Sequence, residues 1–452
     1  MNEQDQWPRR PEAAQFYAKL FSDFAVKNPT IAAMAERFRT GAGVDILALV
    51  DHWILPPQLA LETELPALGF IAETNAEGDE FYSVPGTRLP LVRIKANRET
   101  PTLALRVENL DDFATANGLT YNSVHGDFDS RYQCAHVALQ QGELMPIVRR
   151  GYAGFAPGSL TDYQRRNLNS VRAAFRGRPR ELDDALTMTA AYSLVPNAVK
   201  TLGAGRATDE FFASERDYYL TRNFAARYQY ERQQEIGVGW ANHDHHTYRS
   251  SRAAFQPLIT LWQRFGFAAR ERFYAGAEAG WGAQILEHPE SRVILFCDVD
   301  VSPEELDIDF ANVSLEARDL LGTIGLWCAL HGDSIGTAGL HHLECEFDFA
   351  AAETLLTAAG IGVMKPFTDF PMLKQAFTQP ELWTVSHDRL APLIACGAIT
   401  PEQAERFASV GAAGSHLEIL QRWEGFKGFN KTGVSAIIRE TDARNEISGE
   451  TK

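Results

Sequence analysis

Four short apolar segments along the chain each lead into a stretch whose apolar residues follow the spacing of an amphipathic helix. Every helical stretch ends close to a glycine, and these glycines are Gly69, Gly118, Gly266 and Gly360. Further strand-like segments follow, namely "LPLVRIK", "YQCAHVAL" with "ELMPIVRR", "RVILFCDVDV" and "HLEILQR". A repeated unit of one strand, one helix and further strands predicts an α+β fold, because a doubly wound sheet would alternate single strands with single helices.

The four units fall into two pairs separated by a polar, helix-like segment. Residues 1–155 are predicted to form an N-terminal domain of two units, and residues 236–452 a C-terminal domain of two units. The intervening residues 156–235 are rich in Arg, Ala and Asn, and "DYQRRNLNSVRAAFRGRPRELDDAL" has a helical pattern. We therefore predict a helical insert between the two domains, and a smaller one over residues 385–409.

The composition restricts the classes of partner and of compartment. The formal net charge of −16 argues against binding to nucleic acid or to an anionic membrane. The N-terminal "MNEQDQWPRR" lacks the apolar run of a signal peptide, and no apolar run is long enough to span a bilayer. The five cysteines are scattered without a CxxC pair, so neither a disulfide framework nor a structural zinc site is expected. These features predict a cytoplasmic protein, and they leave a homo-oligomer open.

Histidines occupy equivalent positions in the third and fourth units. His245 and His342 each lie on the first strand of their unit, and Glu418 lies within the apolar last strand of the fourth. Burial of an ionised carboxylate is costly unless a partner or a metal compensates its charge. If the two units curl their sheets around a shared cleft, two imidazoles and one carboxylate form a face that suits Fe(II).

Three further histidines compete for places in this ligand set. Strand alternation predicts that His243 shares the face of His245 and that His246 lies on the opposite face. His416 lies two residues before Glu418, so it is a candidate for a ligand or for a supporting contact. The sequence leaves these alternatives open.

The segment "HLEILQRWEGFKGF" resembles the C-terminal segment of the 4-hydroxyphenylpyruvate dioxygenase family, in which Gln-Arg and a Gly-Phe loop follow a metal-ligating Glu. "DHHTYRSS" and "GLHHLECEFDF" are similar to the strands that carry that family's histidine ligands. The resemblance covers about residues 236–442, and only the architecture over residues 40–155. It implies the vicinal oxygen chelate superfamily, built from paired βαβββ modules. It also implies Fe(II) held by His245, His342 and Glu418 in the C-terminal domain, and a non-catalytic N-terminal domain.

A second family, the bacterial 2-oxoadipate dioxygenase/decarboxylases, has a similar metal pattern. Its first histidine ligand begins a His-x-x-x-Arg strand whose arginine holds the substrate carboxylate, and "HHTYR" places Arg249 four residues after His245. The resemblance therefore implies a substrate-binding and catalytic role for Arg249. Phe426 and Phe429 in the Gly-Phe loop are candidates for the walls of the substrate pocket, and the following segment "NKTGVSAIIRETD" is a candidate for its lid.

Both families consist of iron dioxygenases that act on 2-oxo acids. They imply an Fe(II)-dependent dioxygenase that oxidatively decarboxylates a small 2-oxo acid with O2 and hydroxylates the substrate. Two alternatives keep the fold: a metal-dependent isomerase or lyase that does not use O2, and a ligand-binding protein without turnover. A third is a serine hydrolase, because "HGDSIG" has the G-x-S-x-G pattern of a nucleophile elbow at Ser334, with His387 and Asp388 downstream. Such an elbow requires a strand before the serine and a helix after it.

Overall fold

The computed structural model describes residues 7–180, 184–276, 280–305 and 307–445. The N-terminal half opens with two helices that the sequence pattern does not single out, and it continues with an eight-stranded sheet. Its elements are α1 (Pro11–Lys27), α2 (Pro29–Ala42), β1 (Val50–Leu55), α3 (Leu59–Ala67), β2 (Ile71–Thr74), β3 (Glu80–Ser83), β4 (Leu91–Ile94), β5 (Thr102–Arg106), α4 (Leu110–Asn117), β6 (Ser123–His125), β7 (Tyr132–Leu139) and β8 (Gly142–Arg149).

Helices occupy the segment between the two sheets. They are α5 (Asp162–Arg176), α6 (Asp184–Leu202), α7 (Ala204–Arg222) and α8 (Phe224–Glu235). The helix predicted over residues 162–186 is interrupted after α5, because Gly177 ends that helix and Pro179 follows two residues later. Residues 181–183 of that prediction lie outside the described residues. The predicted domain boundaries at residues 155 and 235 remain predictions.

The C-terminal half contains a second eight-stranded sheet and a short two-stranded one. Its elements are β9 (His243–Arg249), α9 (Arg252–Phe265), β10 (Ala268–Tyr274), β11 (Trp281–Glu287), β12 (Ile294–Asp300), α10 (Thr323–His331), β13 (His342–Glu346), α11 (Phe349–Ala358), β14 (Thr368–Phe370), β15 (Leu373–Phe377), β16 (Leu382–Trp383), α12 (His387–Ala395), α13 (Pro401–Ser409), β17 (Ala412–Ala413), β18 (His416–Arg422) and α14 (Lys431–Glu440). Helices α12 and α13 confirm the smaller helical insert predicted over residues 385–409.

The two large sheets have the same strand order. The first runs β2-β3-β4-β1-β5-β8-β7-β6 and the second β10-β11-β12-β9-β13-β18-β15-β14. In each sheet, the first strands of two modules pair antiparallel at the centre, and each also pairs parallel with the last strand of its own module. Each sheet is therefore built from two βαβββ modules, and the predicted α+β fold of four modules is confirmed.

Helix α9 shows how a helix with one apolar face packs against a sheet and holds its strands in place. The residues that the sequence predicts on its inner face are all buried, namely Phe255, Leu258, Ile259, Trp262 and Phe265. Each such side chain contributes about 1.5–3 kcal/mol on full burial. The helix ends at Gly266, whose φ of 101° lies in the region that favours glycine, and the chain turns there into β10. Strand β9, which carries His245, is thereby anchored to a well-packed helix. Within the described ranges, no helix combines the length and the apolar character that crossing a membrane requires.

Candidate metal centre

Three neighbouring strands at the centre of the C-terminal sheet bring the predicted ligands together. In the register of β9, β13 and β18, His245 lies opposite Glu344, and Glu344 lies opposite Glu418. His342 precedes Glu344 by two residues on β13, so their side chains share a face. One donor atom from each of His245, His342 and Glu418 lies within 4.8 Å of the others, and all three residues are buried. We call these three residues the metal cluster.

Neighbouring polar groups fix the orientation of the metal cluster. His342 Nε2 lies 3.0 Å from Glu418 Oε2 and 2.7 Å from Oγ1 of Thr247. The side-chain amide of Gln375 donates to Glu418 Oε1 at 3.1 Å. Metal bonds of about 2.0–2.2 Å to nitrogen and oxygen place adjacent donors at right angles roughly 3 Å apart. The separation of the His342 and Glu418 donors therefore fits two neighbouring ligands of one ion.

Glu344 is a further donor that the sequence analysis missed. Its Oε1 atom lies 3.1 Å from His245 Nδ1, and its Oε2 atom accepts a hydrogen bond from Gln375 at 3.2 Å. The side chain is fully buried. The signal for this residue was present in the sequence, because Glu344 stands two residues after His342 and strand alternation puts both on one face.

The pKa values of Glu344, Glu418 and His245 indicate that the metal cluster and Glu344 lack a compensating positive charge. Burial raises the pKa of Glu344 to about 8, and the neighbouring Glu418 carboxylate adds to the effect. Burial also raises the pKa of Glu418. Burial alone would lower the pKa of His245, but Glu344 and Asp244 outweigh it and raise that pKa to about 10. A divalent cation fits this set, because it would compensate both buried carboxylates at once.

A β-bulge separates the roles of the adjacent histidines. The pairing of β9 with β13 shifts by one residue at Asp244, which is left as the extra residue. His243 consequently faces His246, with ring centroids 5.4 Å apart, and not the metal cluster. The structure thus differs from the predicted sharing of a face by His243 and His245, because regular alternation breaks at the bulge.

His416, the other open candidate, is held by contacts of its own. Its ring stacks on Phe377 with centroids 4.8 Å apart, and its Nδ1 lies 2.9 Å from the carbonyl oxygen of Thr378. Burial lowers the pKa of His416 to about 3, so the ring is neutral at physiological pH. His416 therefore supports the aromatic residue beside the metal cluster, as a supporting contact would.

Asp244 connects the metal cluster to the N-terminal half of the chain. Its carboxylate forms ion pairs with Arg422 at 2.8 Å and with Arg88, and it lies 3.6 Å from His245 Nδ1. Burial opposes ionisation, but Arg422 and Arg88 outweigh it and hold the pKa of Asp244 well below its usual range. The backbone N–H of Arg88 also donates to the carbonyl of Gly425 at 2.9 Å. The N-terminal half thus helps to hold the carboxylate that lies beside His245.

Replacing Arg88 with alanine is expected to weaken metal binding by about 10- to 100-fold, the range typical for a lost supporting contact. Asp244 would lose one of the two cations that hold it beside His245. Metal titration of the purified apoprotein measures the effect. The matched control is Arg39→Ala, which removes an exposed arginine that pairs with the exposed Glu36 of its own helix. Equal metal affinity in the Arg88 variant and wild type would contradict the supporting role.

A small, mostly apolar cavity adjoins the metal cluster. Its apolar lining consists of Phe273, Trp281, Phe296, Phe367, Phe377, Phe429, Val434 and Ile438. Phe429 packs against Phe296 and Phe273, with ring centroids 5.1 and 5.8 Å apart. Val434 and Ile438 belong to α14, the helix that the sequence analysis assigned to the lid. The cavity has a volume of only about 30 Å³, far below the roughly 300–1,000 Å³ of small-molecule sites. Phe429 and α14 would therefore have to move outwards before an organic substrate could enter beside the metal cluster.

Phe426 does not reach this cavity. It is buried with Met372, Leu373 and Leu420 in a separate apolar cluster. Strand β18 ends at Arg422, and the turn after it, with Gly425 at a φ of 67°, directs Phe426 towards the side of β15. The structure thus brings Phe429 to the predicted pocket wall, and Phe426 to the hydrophobic core.

Arg249 lies on the cavity, on the strand face that carries His245. Its side chain is buried, and its Nε and Nη2 atoms hydrogen-bond to no atom of the described residues. Asp298 pairs with Arg249 in the register of β9 and β12. Burial raises the pKa of Asp298 to about 7, although Arg249 pulls in the opposite direction. A buried guanidinium with free donors beside an acid of raised pKa is well suited to receive a carboxylate through two parallel hydrogen bonds.

The predicted nucleophile elbow is not formed. Ser334 follows helix α10 and a turn, and the residues after it form turns rather than a helix. It is fully buried, and its Oγ accepts a hydrogen bond from the backbone N–H of Arg249 at 2.9 Å. The predicted partners His387 and Asp388 are exposed at the start of α12. The structural condition for the serine hydrolase is therefore not met.

No protein-family model and no curated protein sequence matches the chain. Among solved structures, a putative hydrolase from Shewanella frigidimarina is 14% identical over 47% of this chain and 91% of its own, with a TM-score of 0.34. A mutant of 4-hydroxymandelate synthase from Streptomyces coelicolor is 10% identical over 75% of this chain and 96% of its own, with a TM-score of 0.30. Methylmalonyl-CoA epimerase from Mycobacterium tuberculosis is 12% identical over 40% of this chain and 88% of its own, with a TM-score of 0.23.

The chain's own topology defines its class. Each of the two sheets consists of two βαβββ modules whose first strands pair with each other. This topology is the vicinal oxygen chelate fold that the sequence predicted. The C-terminal sheet of this fold carries the buried cluster of two histidines and one glutamate at its centre.

Proposed function

We propose that the protein is an Fe(II)-dependent dioxygenase that oxidatively decarboxylates a 2-oxo acid and hydroxylates the remainder of the substrate. The observation that carries the proposal is the buried arrangement of His245, His342 and Glu418 next to Arg249, whose Nε and Nη2 have no hydrogen-bond partner among the described residues. Two histidines and one carboxylate on one face form the donor set of non-haem Fe(II) oxygenases, which leaves positions open for substrate and O2.

In this proposal, different residues bind the metal, bind the substrate and exclude water. His245, His342 and Glu418 would hold the iron, and bound Fe(II) would supply the redox chemistry with O2. Arg249 would bind and orient a carboxylate of the substrate through its free Nε and Nη2 donors. The aromatic wall around Phe429 would exclude water, which strengthens every polar contact inside.

A second candidate function is favoured by Glu344. This carboxylate faces the metal cluster and contacts His245, so it is within reach of a substrate bound to the metal. An isomerase or lyase that needs no O2 can use a metal to polarise a carbonyl group of the substrate and a nearby carboxylate to accept a proton from it. The two functions share the metal cluster and differ in whether O2 is consumed.

Anaerobic purification, reconstitution with Fe(II) and a panel of aliphatic and aromatic 2-oxo acids test the proposal. We expect O2 uptake and CO2 release in equal amounts for at least one acid, and no turnover with Zn(II) in place of Fe(II). Turnover that proceeds equally well without O2, or with Zn(II), would replace the dioxygenase by the isomerase or lyase. The matched control is apoprotein without added metal, which should consume no O2.

A further inference from the structure

A second and larger cavity lies between the two sheets. Its volume is about 1040 Å³, which is at the upper end of the range of roughly 300–1,000 Å³ for small-molecule sites. Residues 83–91, the end of β5 and β8 line it from the N-terminal half, and α7 and the turn between β11 and β12 line it from the remainder. None of the residues of the metal cluster lines it, so a ligand in this cavity would be additional to the substrate.

Two arginines line this cavity without forming an ion pair with any of the described residues. Arg106, the last residue of β5, donates from Nη2 to the carbonyl oxygen of Ala48 at 3.3 Å, while its buried Nε has no hydrogen-bond partner among the described residues. The side chain of Arg292, in the turn between β11 and β12, forms neither an ion pair nor a hydrogen bond in the described part of the chain. Burial lowers the pKa of both guanidinium groups, and the nearby charge of Arg292 lowers the pKa of Arg106 further. Asp51 acts on both charges but leaves these donors free, so the cavity holds two arginines that can donate to a ligand.

Most other basic residues around the cavity are already compensated. The ion pairs are Arg149 with Asp51, Arg172 with Asp129 and Glu210, Arg88 with Asp244, and Lys427 with Glu287. Arg150 and Arg216 lie close enough to the buried Asp209 to counteract the rise in its pKa that burial causes. Carboxylates line the cavity as well, but no ion pair among the described residues occupies the donors of Arg106 and Arg292, which come from opposite halves of the chain.

The backbone at Arg292 gives an independent indication of a ligand contact. Its φ of 58° lies in the left-handed region, which residues other than glycine seldom adopt. Such conformations persist where the surroundings enforce them, and they cluster at sites that contact ligands. A strained turn that presents an unpartnered arginine to a cavity is consistent with recognition of an anion.

We propose that the cavity between the sheets binds a small organic dianion, carrying carboxylate or phosphate groups, through Arg106 and Arg292. A guanidinium group presents paired, planar donors that match either a carboxylate or a phosphate. Because the two arginines belong to opposite halves, the ligand bridges the halves and stabilises their association. This site does not depend on the proposed function, since it uses no residue of the metal cluster.

Calorimetric titration of the metal-free protein, with all 452 residues, with succinate and with inorganic phosphate at low ionic strength tests the site. We expect binding to wild type, and affinity weaker by about tenfold or more in Arg106→Gln and in Arg292→Asn, because each removes a charge-assisted hydrogen bond. Asparagine tolerates the positive φ at position 292, so this variant keeps the test informative if Arg106→Gln does not fold. The matched control is Arg176→Gln, whose arginine lines the same cavity but is paired with Asp217.

The outcomes separate the cavity from the metal centre. Unchanged affinity in both arginine variants would overturn the proposal, and so would the absence of binding of either anion to wild type at millimolar concentration. If Arg249→Gln alone abolishes binding, the anion sits beside the metal cluster, and the proposal fails. The stronger of the two probes, succinate or phosphate, identifies the anionic group that the cavity prefers.

Discussion

Substitution of Glu418 by alanine is expected to lower the affinity for Fe(II) by more than about 100-fold, beyond the range for loss of a supporting contact. The variant loses the carboxylate that lies 3.0 Å from His342 Nε2 and leaves two imidazoles as the remaining members of the metal cluster. Metal analysis after anaerobic reconstitution measures the loss. Added Fe(II) should also raise the melting temperature of wild type and leave that of the variant unchanged, because only a ligand that binds the native state stabilises it.

The control for this experiment is Glu405→Ala, which removes an exposed glutamate from α13 in the same half of the chain. It should retain wild-type iron content and the melting shift. Circular dichroism of both apoproteins establishes that each is folded before metal is added. Full iron content in Glu418→Ala would refute the assignment of Glu418 as a ligand, and with it the metal cluster as described.

If the proposed function is right, substitution of Arg249 by glutamine is expected to reduce kcat/KM for the 2-oxo acid substrate by roughly 100-fold, with iron content unchanged. Loss of one partner from a buried, hydrogen-bonded charge pair costs about 2–5 kcal/mol, and each 1.4 kcal/mol corresponds to about a tenfold change. The loss should appear largely in KM if the arginine binds the substrate carboxylate equally in the ground and transition states. Arg249→Lys should recover only part of the activity, because an ammonium group cannot form two parallel planar hydrogen bonds.

The control for Arg249 is Arg264→Gln, which removes an exposed arginine from α9. Its kinetic constants should match those of wild type. Because Arg249 is buried, thermal unfolding of Arg249→Gln must accompany the kinetics, so that a loss of stability is distinguished from a loss of substrate contact. Unchanged KM and kcat in a folded, iron-loaded Arg249→Gln protein would show that this arginine does not contact substrate.

The modules of the fold could be predicted because their signals are local. The spacing of neighbouring residues predicts both the apolar face of α9 and the glycine that ends the helix, and the structure has both. The repeat pattern placed His342 and Glu418 on the first and last strands of the fourth unit, and the register of β13 and β18 brings them together.

The remaining features depend on contacts between distant segments. The bulge at Asp244 arises from the pairing of β9 with β13, and alternation within β9 alone does not indicate it. The position of Phe426 depends on the turn after β18. Asp298 lies next to Arg249 because of the register between β9 and β12. Arg88 lies more than one hundred residues before Asp244, and no local pattern links them. Glu344 is the exception, since alternation from His342 was sufficient to find it.

Because the two sheets have the same strand order, each residue of the metal centre can be compared with the residue at the equivalent position of the N-terminal sheet. In the N-terminal sheet, Asp51 contacts His52 Nδ1 at 2.7 Å and Arg149 at 2.8 Å. In the C-terminal sheet, Asp244, His245 and Arg422 occupy the equivalent positions and form the corresponding ion pairs. The frame of aspartate, histidine and arginine is therefore present twice in one chain.

The positions that matter for a metal nevertheless differ. Strand pairing aligns His342, Glu344 and Glu418 with Thr102, Ala104 and Met145 of the N-terminal sheet. The N-terminal frame thus carries its histidine with threonine, alanine and methionine at the positions of the other donors. One polypeptide contains both the scaffold alone and the scaffold with its ligands, so the contribution of the three donors can be measured against a background that the protein itself provides.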